Sequence, residues 1–286
     1  MILVADSGST KADWIAGKNG ETTGEFNSKG FNPFFHDKKF ILKELNDNAG
    51  LLKISSEVDK LYFFGAGCSS PDRNAIIFEG LTEFFKNAEI VVDHDMLGSA
   101  LAVCEGKPGI ACILGTGSNI CYFNGQSISE TRHGLGYIIG DEGSGSYYGK
   151  KLLAWYLYGI LPEELQNDFK IKYVADKETI INRIYSQPNA NVFLASFAGF
   201  LSEHATHPFV VNLVHRGMSE FFETNVLSYK ESQFVPVHFS GSIAWYFKDV
   251  LKKVAMENGV TTGNIIRKPV TGLADYFFKG GKMPVT

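Results

Sequence analysis

The chain has 286 residues, of which 44% are hydrophobic and 20% are charged, and its mean hydropathy is -0.04. This composition is typical of a soluble globular protein with about two domains. The 27 basic and 31 acidic residues give a net charge of -4, which favours neither a nucleic-acid partner nor a charged tail. The apolar runs are far shorter than the ~20 residues that cross a membrane, and the first residues do not resemble a signal peptide. We therefore expect a cytoplasmic protein with no membrane partner.

The cysteines stand alone in the sequence, and none forms a CxxC pair. They lie at Cys68, Cys104, Cys112 and Cys121. Zinc and iron–sulfur sites need clustered ligands, so neither kind of site is supported. Because the neighbouring residues are apolar or glycine, the pattern predicts reduced, mostly buried thiols.

The first third of the chain predicts strands that alternate with helices, from apolar runs and from apolar residues at helical spacing. Strands are predicted at 1–5, 11–17, 21–26, 61–64 and 89–92. Helices are predicted at 37–48, 71–85 and 96–103.

From residue 109 onward the pattern of strand, glycine turn and strand begins again. LVADSGSTKADWIAGKNG aligns with CILGTGSNICYFNG, so that Gly8 lies over Gly117. The repeat predicts strands at 109–114 and 119–123, followed by a third extended segment at 127–132. Self-similarity at this distance indicates a duplicated domain. We therefore expect one domain at 1–105 and a second at 106–286, joined by a short hinge, with the last helix able to pack back on the first domain.

The remainder of the chain predicts mostly helices. They are expected at 144–157, 177–186, 192–204, 210–227 and 243–258. One strand is predicted among them, at 235–239.

Three glycine-rich turns follow apolar strands directly. They are DSGSTK at 6–11, GTGSN at 115–119 and SGS at 240–242. Such turns let backbone N–H groups approach a phosphate, although each alone is more often a structural turn. Together they indicate nucleotide binding. The sequence has no GxxxxGK[ST] motif, no well-spaced dinucleotide fingerprint and no protein-kinase motif.

Three aspartates are candidate site residues, and two of them, Asp6 and Asp95, lie where a sheet would present ligand-binding groups. Asp6 ends the first strand, where its carboxylate could hold Mg²⁺ through water. Asp95 follows the strand at 89–92 and opens a helix, and Asp141 lies among glycines before another helix. A helix N-cap is the alternative for Asp95 and Asp141. The histidines show no metal-ligand spacing, and no GxSxG motif supports a serine nucleophile.

Several motifs in this order resemble the N-acetylglucosamine kinase branch of the BadF/BadG/BcrA/BcrD ATPase family. They are DSGSTKADW, HDMLGSALA, ILGTGSN, GLGYIIGDEGS, SFAGF and FSGSIAWYF. The resemblance covers nearly the whole chain. It implies an α/β, two-domain actin-like ATPase fold of the ribonuclease H-like type. Each domain would be a mixed sheet with flanking helices, with ATP in the interdomain cleft.

The resemblance also implies roles for individual residues. Asp95 would be the catalytic base, and Asp6 would lie near Mg²⁺. The amino sugar would be held by Asn32, Gly67, Thr116, Gly134 and Asp141. ATP would be bound by Ser9, Thr10, Lys11, Gly115, Gly117, Asn119, Ala198, Gly241 and Ser242. The family also makes a homodimer an expectation.

Bulky side chains follow Asp95 and surround Asn32 in the sequence. Met96 and Leu97 are bulky where the family has small residues, which could reshape the pocket wall. Of Phe31, Phe34 and Phe35, we expect at least two in the core.

The sequence leaves more than one function open. The first is phosphorylation of N-acetylglucosamine at its 6-hydroxyl. N-acetylmuramic acid and glucosamine are alternative substrates, and an accessible Arg or Lys near Asn32 would favour the former. The other classes are an ATP-dependent module that activates a partner protein and a sugar-sensing binder, although a binder has no need of a base at Asp95.

Overall fold

The computed structural model of the protein describes residues 1–8, 10–129, 134–173 and 176–284. The chain forms two compact units. Unit 1 contains Met1–Pro108, Phe123–Ser129 and the segment from Lys268 onward, and unit 2 contains Gly109–Tyr122 and the segment from Glu130 to Arg267.

Unit 1 is built on a five-stranded sheet in the order β3-β2-β1-β4-β5. Its strands are β1 (Ile2–Ser7), β2 (Lys11–Lys18), β3 (Glu21–Lys29), β4 (Lys60–Gly65) and β5 (Glu89–His94). β1, β4 and β5 run parallel, whereas β2 is antiparallel to both of its neighbours. The carboxyl ends of β1, β4 and β5 therefore meet at one edge of the sheet, where α/β proteins bind ligands.

Helices cover both faces of this sheet. They are α1 (Lys38–Asn46), α2 (Ala49–Ile54), α3 (Pro71–Phe84), α4 (Asp95–Cys104) and α13 (Pro269–Phe278), with a short 3₁₀ helix at Ser55–Glu57. Trp14 on one face packs against the rings of Phe31 and Phe63, in the core that includes residues of α1 and α3. On the other face Ile15 packs against α13. Side chains alternate between the faces of a strand, so Val4 and Asp6 lie opposite Leu3 and Ala5.

Unit 2 contains a four-stranded sheet in the order β7-β6-β8-β9. Its strands are β6 (Gly109–Leu114), β7 (Ser118–Phe123), β8 (Val237–Ser240) and β9 (Thr262–Ile266), and β6, β8 and β9 run parallel. This order repeats the β2-β1-β4-β5 order of unit 1. The strand–turn–strand repeat seen in the sequence thus opens both sheets.

The remaining helices of unit 2 form its large apolar core with the sheet. They are α5 (Gly145–Tyr158), α6 (Glu163–Lys172), α7 (Lys177–Tyr185), α8 (Ala190–Ser196), α9 (Ala198–Glu203), α10 (Pro208–Thr224), α11 (Ser242–Tyr246) and α12 (Lys248–Glu257). Short 3₁₀ helices lie at Val226–Ser228 and Lys230–Gln233. α5 and α8 approach closely at Gly149, where a Cβ atom would lie 1.8 Å from the carbonyl oxygen of Leu194.

The α/β class and the two sheets with flanking helices are confirmed, and the free cysteines are buried as predicted. The predicted helices at 192–204 and 243–258 are each two helices, divided at Phe197 and Phe247. Both phenylalanines are buried. The helical spacing of apolar residues therefore continues across each break, and the sequence pattern does not show that one helix ends there and another begins.

Some elements were missed or predicted wrongly. α6 buries only Leu165 and Phe169, and β9 has no fully buried residue, so neither gave a clear apolar pattern. In the predicted segment at 127–132, Ile128 forms only an isolated bridge with Phe123, and residues 130–132 lie outside the described ranges. In the part of the chain that the structure describes, we find no helix both long and apolar enough to cross a bilayer.

Candidate active site

Asp6 lies near the carboxyl end of β1, on the face of the sheet that α4 and α13 cover. The strand pairing places it directly opposite Asp13 on β2. Its carboxyl group accepts no hydrogen bond in the described part of the chain. Burial, together with the nearby charges of Asp95 and Asp13, raises the pKa of Asp6 to about 7. A positively charged ligand would relieve this repulsion.

Asp95 is the first residue of α4, immediately after β5. The N-cap alternative for Asp95 is wrong, because the N-cap is His94, whose Nδ1 accepts the N–H of Leu97 at 3.2 Å. The Asp95 carboxyl is therefore not needed to cap the helix. Burial raises its pKa above the usual range, and His94 and nearby backbone N–H groups oppose that shift in part. A carboxyl with a raised pKa is suited to accept a proton near neutral pH.

Two lysines converge on Asp13, which the sequence analysis missed. The Nζ atom of Lys11 lies 2.8 Å from Asp13 Oδ1, and the Nζ atom of Lys268 lies 3.0 Å from the same oxygen. The register of the predicted β1–β2 hairpin places Asp13 opposite Asp6, so the sequence could have indicated Asp13. It could not have indicated Lys268, because that residue is far along the chain and precedes α13. The turn itself is closed by the N–H of Gly8, which donates to the Lys11 carbonyl at 2.9 Å.

The remaining residues of the first turn were predicted to bind ATP. Thr10 and Lys11 are exposed at the end of the hairpin, and Ser9 lies outside the described residues. Their contacts with phosphate stay a prediction.

Asn32 and Gly67, both predicted to hold the sugar, lie side by side in unit 1. Asn32 is buried, and its Oδ1 accepts the N–H of Phe34 at 3.0 Å. Gly67 has a φ of +84°, and a Cβ atom there would lie 2.5 Å from Asn32 Oδ1. The loop after β4 is also joined to β1, because the N–H of Ala66 donates to the Ser7 carbonyl at 2.7 Å. The two residues thus lie at the same sheet edge as Asp6.

The expectation for the phenylalanines near Asn32 is wrong. Phe31 is fully buried, but Phe34 is 56% exposed and Phe35 is 74% exposed. The Asn32 side chain holds the Phe34 backbone in a turn that directs both rings away from the core. Met96 and Leu97, by contrast, are both buried.

In unit 2, Asp141 lies against the GTGSN turn. Its Oδ1 accepts the N–H of Ser118 at 3.2 Å, and a Cβ atom on Gly117 would lie 2.9 Å from its Oδ2. Asp141 has a φ of +60°, an uncommon backbone conformation that often occurs at functional sites. The N-cap alternative is wrong here too, because Ser144 caps α5. Burial is the main cause of the raised pKa of Asp141.

The same turn gathers most of the other predicted residues of unit 2. A Cβ atom on Gly134 would lie 3.4 Å from Asn119 Oδ1. The carbonyls of Gly115 and Thr116 accept N–H groups from the first turn of α5, at 2.8 and 3.0 Å. The turn is therefore fixed by its backbone while the Thr116 side chain remains exposed.

Gly241 and Ser242 meet this turn from the end of β8. Gly241 has a φ of +112°, and a Cβ atom there would lie 2.3 Å from the Leu114 carbonyl oxygen. Ser242 is the first residue of α11. Ala198 is the first residue of α9 and is buried in the core of the unit. The structure therefore brings two of the three glycine turns together within unit 2.

Magnesium was the predicted metal, and Asp6 fits it. In the described residues, no group of three or more His, Cys, Asp or Glu is arranged to hold a metal ion. Mg²⁺ is usually held by one or two carboxylates together with water and substrate phosphates. Burial and the charges of Asp95 and Asp13 raise the pKa of the Asp6 carboxyl. A cation bound there would stabilise its ionised form.

Replacing Asp6 by asparagine is expected to stabilise the metal-free protein at neutral and alkaline pH. The raised pKa means that the folded chain holds this proton more tightly than the unfolded chain. The carboxyl therefore opposes folding increasingly as the pH rises from about 4 to about 7, and fully above that. Thermal unfolding without divalent cations should show a higher Tm for Asp6→Asn at pH 8 and nearly equal values at pH 4.

The matched control is Asp47→Asn, because Asp47 is an exposed carboxyl of the same unit. It should show no pH-dependent difference from the wild type. If the difference in Tm between Asp6→Asn and the wild type is the same at pH 4 and pH 8, the raised pKa of Asp6 is contradicted.

The sequence and the fold are similar to those of known and candidate sugar kinases. A candidate N-acetylglucosamine kinase from Porphyromonas gingivalis, of known structure, is 39% identical, and the match covers 98% of this chain and 99% of that chain with a TM-score of 0.92. The N-acetylmuramic acid/N-acetylglucosamine kinase of Clostridium acetobutylicum is 31% identical over 159 residues, which are 51% of this chain. That match spans only 50% of the curated relative's own length. No protein-family model matches the chain.

A more distant structure shows the fold alone. A ROK family glucokinase from Streptomyces griseus, solved with glucose and AMPPNP, is 13% identical with a TM-score of 0.58, and the match covers 96% of this chain and 97% of that chain. Two sheets with flanking helices in this arrangement define the actin-like ATPase fold of sugar kinases. The chain belongs to the family of N-acetylglucosamine kinases represented by the Porphyromonas gingivalis protein.

Proposed function

We propose that the protein is a kinase that transfers the γ-phosphoryl group of ATP to the 6-hydroxyl of N-acetylglucosamine. The observation that carries the proposal is the position of Asp95, a buried carboxyl with a raised pKa beside the metal candidate Asp6. The sequence resemblance supports membership of the N-acetylglucosamine kinase branch of the BadF/BadG/BcrA/BcrD ATPases. The same resemblance supports two domains, 1–105 and 106–286.

Unit 1 would supply the acceptor chemistry. Asp95 accepts the proton of the sugar hydroxyl as the oxygen attacks phosphorus, and Asn32 and Gly67 orient the sugar ring. Asp6 would hold Mg²⁺, which when bound neutralises charge on the transferred phosphoryl group. Thr10 and Lys11 would donate to phosphate oxygens. Lys11 can do so only by exchanging its partner Asp13, which Lys268 also neutralises.

Unit 2 would supply the remaining nucleotide and sugar contacts. The GTGSN turn suits a phosphate, because its glycines carry no side chain that would keep the phosphate from the backbone. The N–H groups of Gly115 and Ser118 are already donated to the Gly117 carbonyl and to Asp141. Gly241 and Ser242 would contact the adenosine, with Ala198 near the base. Asp141 and Gly134 would complete the sugar site, next to Thr116. N-acetylmuramic acid and glucosamine are the alternative substrates.

The proposal is tested by coupled ADP release with Mg²⁺ and ATP. N-acetylglucosamine, N-acetylmuramic acid, glucosamine and glucose are offered separately, and the phosphorylated position is determined by NMR. We expect turnover that requires an amino sugar and a product carrying phosphate on the 6-oxygen. ATP hydrolysis that no sugar stimulates would overturn the proposal and favour an ATP-dependent activator of a partner protein. The homodimer stays a prediction.

A further inference from the structure

Phe34, Ser69 and Arg73 form a small surface group, here called the Arg73 corner, beside the proposed sugar residues of unit 1. The Phe34 ring is 56% exposed and the adjacent Phe35 ring is 74% exposed. Leaving two large apolar rings in water is unfavourable compared with burying them. Exposed aromatic rings next to a buried polar residue such as Asn32 suit a ligand that has both an apolar face and polar edges.

Arg73 is held over one of these rings. Its guanidinium carbon lies 3.9 Å from the centroid of Phe34, and one guanidinium nitrogen donates to Ser69 Oγ at 2.8 Å. Stacking fixes the plane of the guanidinium and leaves other N–H groups on its edge free to donate. Arg73 makes none of the ion pairs found between described residues. It is a preorganised cation without a carboxylate partner in the described chain.

The Arg73 corner is joined to Asn32 and Gly67 by direct contacts. The N–H of Phe34 donates to Asn32 Oδ1 at 3.0 Å, and a Cβ atom on Gly67 would lie 3.0 Å from Phe34 Cδ2. The N–H of Ser69 donates to the Gly67 carbonyl at 2.8 Å. Both groups that position Arg73 therefore contact the residues that would hold the sugar ring.

We propose that Arg73 binds the carboxylate of an acidic amino sugar and allows the enzyme to accept such a sugar in addition to N-acetylglucosamine. A planar guanidinium pairs with a carboxylate through two parallel hydrogen bonds. An amino sugar with a lactyl ether, as in N-acetylmuramic acid, carries such a carboxylate on a short arm and keeps its 6-hydroxyl free for phosphorylation. The inference rests on the proposed function, because it assigns the substrate class of the same site.

The test compares Arg73→Gln with the wild type on three sugars. N-acetylmuramic acid carries the ether and the charge, 3-O-methyl-N-acetylglucosamine carries a neutral ether, and N-acetylglucosamine carries neither. We expect the ratio of kcat/KM for N-acetylmuramic acid to that for N-acetylglucosamine to fall at least tenfold in Arg73→Gln. The ratio for the neutral ether should stay within about twofold. Arg73→Lys should give an intermediate loss, because it keeps the charge without the planar fork.

The matched control is Lys86→Gln, which removes one exposed positive charge from the same unit. It should leave both ratios unchanged, which separates a local contact from a change in net charge. Equal ratios in Arg73→Gln and the wild type, or no activity of the wild type on N-acetylmuramic acid while N-acetylglucosamine reacts, would overturn the role of Arg73.

Calorimetric titration with N-acetylmuramic acid gives a readout that does not depend on turnover. If no sugar is phosphorylated, the proposed function fails, and the titration still decides the role of Arg73. Binding at least tenfold tighter to the wild type than to Arg73→Gln supports the inference, whereas equal or absent binding overturns it.

Discussion

Replacing Asp95 by asparagine is expected to lower kcat for sugar phosphorylation by about 10²-fold or more, the range typical of a lost general base. Asparagine has nearly the same shape and can still hydrogen-bond the sugar hydroxyl, but it cannot accept its proton. The helix should persist, because its N-cap is His94. A raised pKa also means that the charged carboxyl opposes folding at neutral pH, so the variant should be at least as stable as the wild type. Steady-state kinetics together with thermal unfolding check both expectations.

Asp93→Asn is the matched control for this variant. Asp93 lies two residues earlier, is partly exposed and accepts the N–H of His94 at 2.7 Å, and no role in the reaction is assigned to it. We expect its kcat to stay within about threefold of the wild type. Asp95 cannot be the base if its asparagine variant keeps more than a tenth of the wild-type kcat.

The part of the site nearest the strand ends could be predicted from the sequence. Apolar runs located β1 and β6, and the glycines after them marked the turns at which parallel strands present ligand-binding groups. Asp6 and Asp95 were found because each follows such a run. The N-cap alternative for Asp95 failed because a neighbouring side chain, His94, competes for the same backbone N–H groups. Local sequence cannot decide between adjacent caps.

The contacts that depend on distant segments could not be predicted. Lys268 reaches Asp13 across 255 positions of the chain, and no local pattern encodes such a pair. At least two of Phe31, Phe34 and Phe35 were expected in the core by residue type, yet the Asn32 side chain holds the Phe34 backbone in a turn that exposes the ring. Arg73 carries no signal of its own, because its importance comes from the ring on which it stacks. Tertiary contact, rather than propensity, decides these positions.

Replacing Gly241 by alanine is expected to lower the free energy of unfolding by about 3 kcal/mol or more. Two independent causes act at this residue. Its φ of +112° and ψ of 164° lie in a region that is essentially restricted to glycine. In addition, the new Cβ atom would lie 2.3 Å from the Leu114 carbonyl oxygen. That oxygen belongs to the backbone of β6 and cannot move aside as a flexible side chain could.

The expected damage extends from stability to nucleotide binding, because Gly241 packs against the strand that leads into the GTGSN turn. A shift of Leu114 would displace Gly115, whose backbone nitrogen lies 3.1 Å from the position of the added Cβ atom. Urea unfolding and calorimetric titration with ATP measure the two effects on the same protein. Gly199→Ala is the matched control, since among the described residues no atom beyond its chain neighbours and the local helix backbone lies within 4 Å of a Cβ at that position, and alanine there should be neutral or stabilising. If the free energy of unfolding of Gly241→Ala lies within about 0.5 kcal/mol of the wild-type value, the close contact between Gly241 and Leu114 does not contribute to stability as expected.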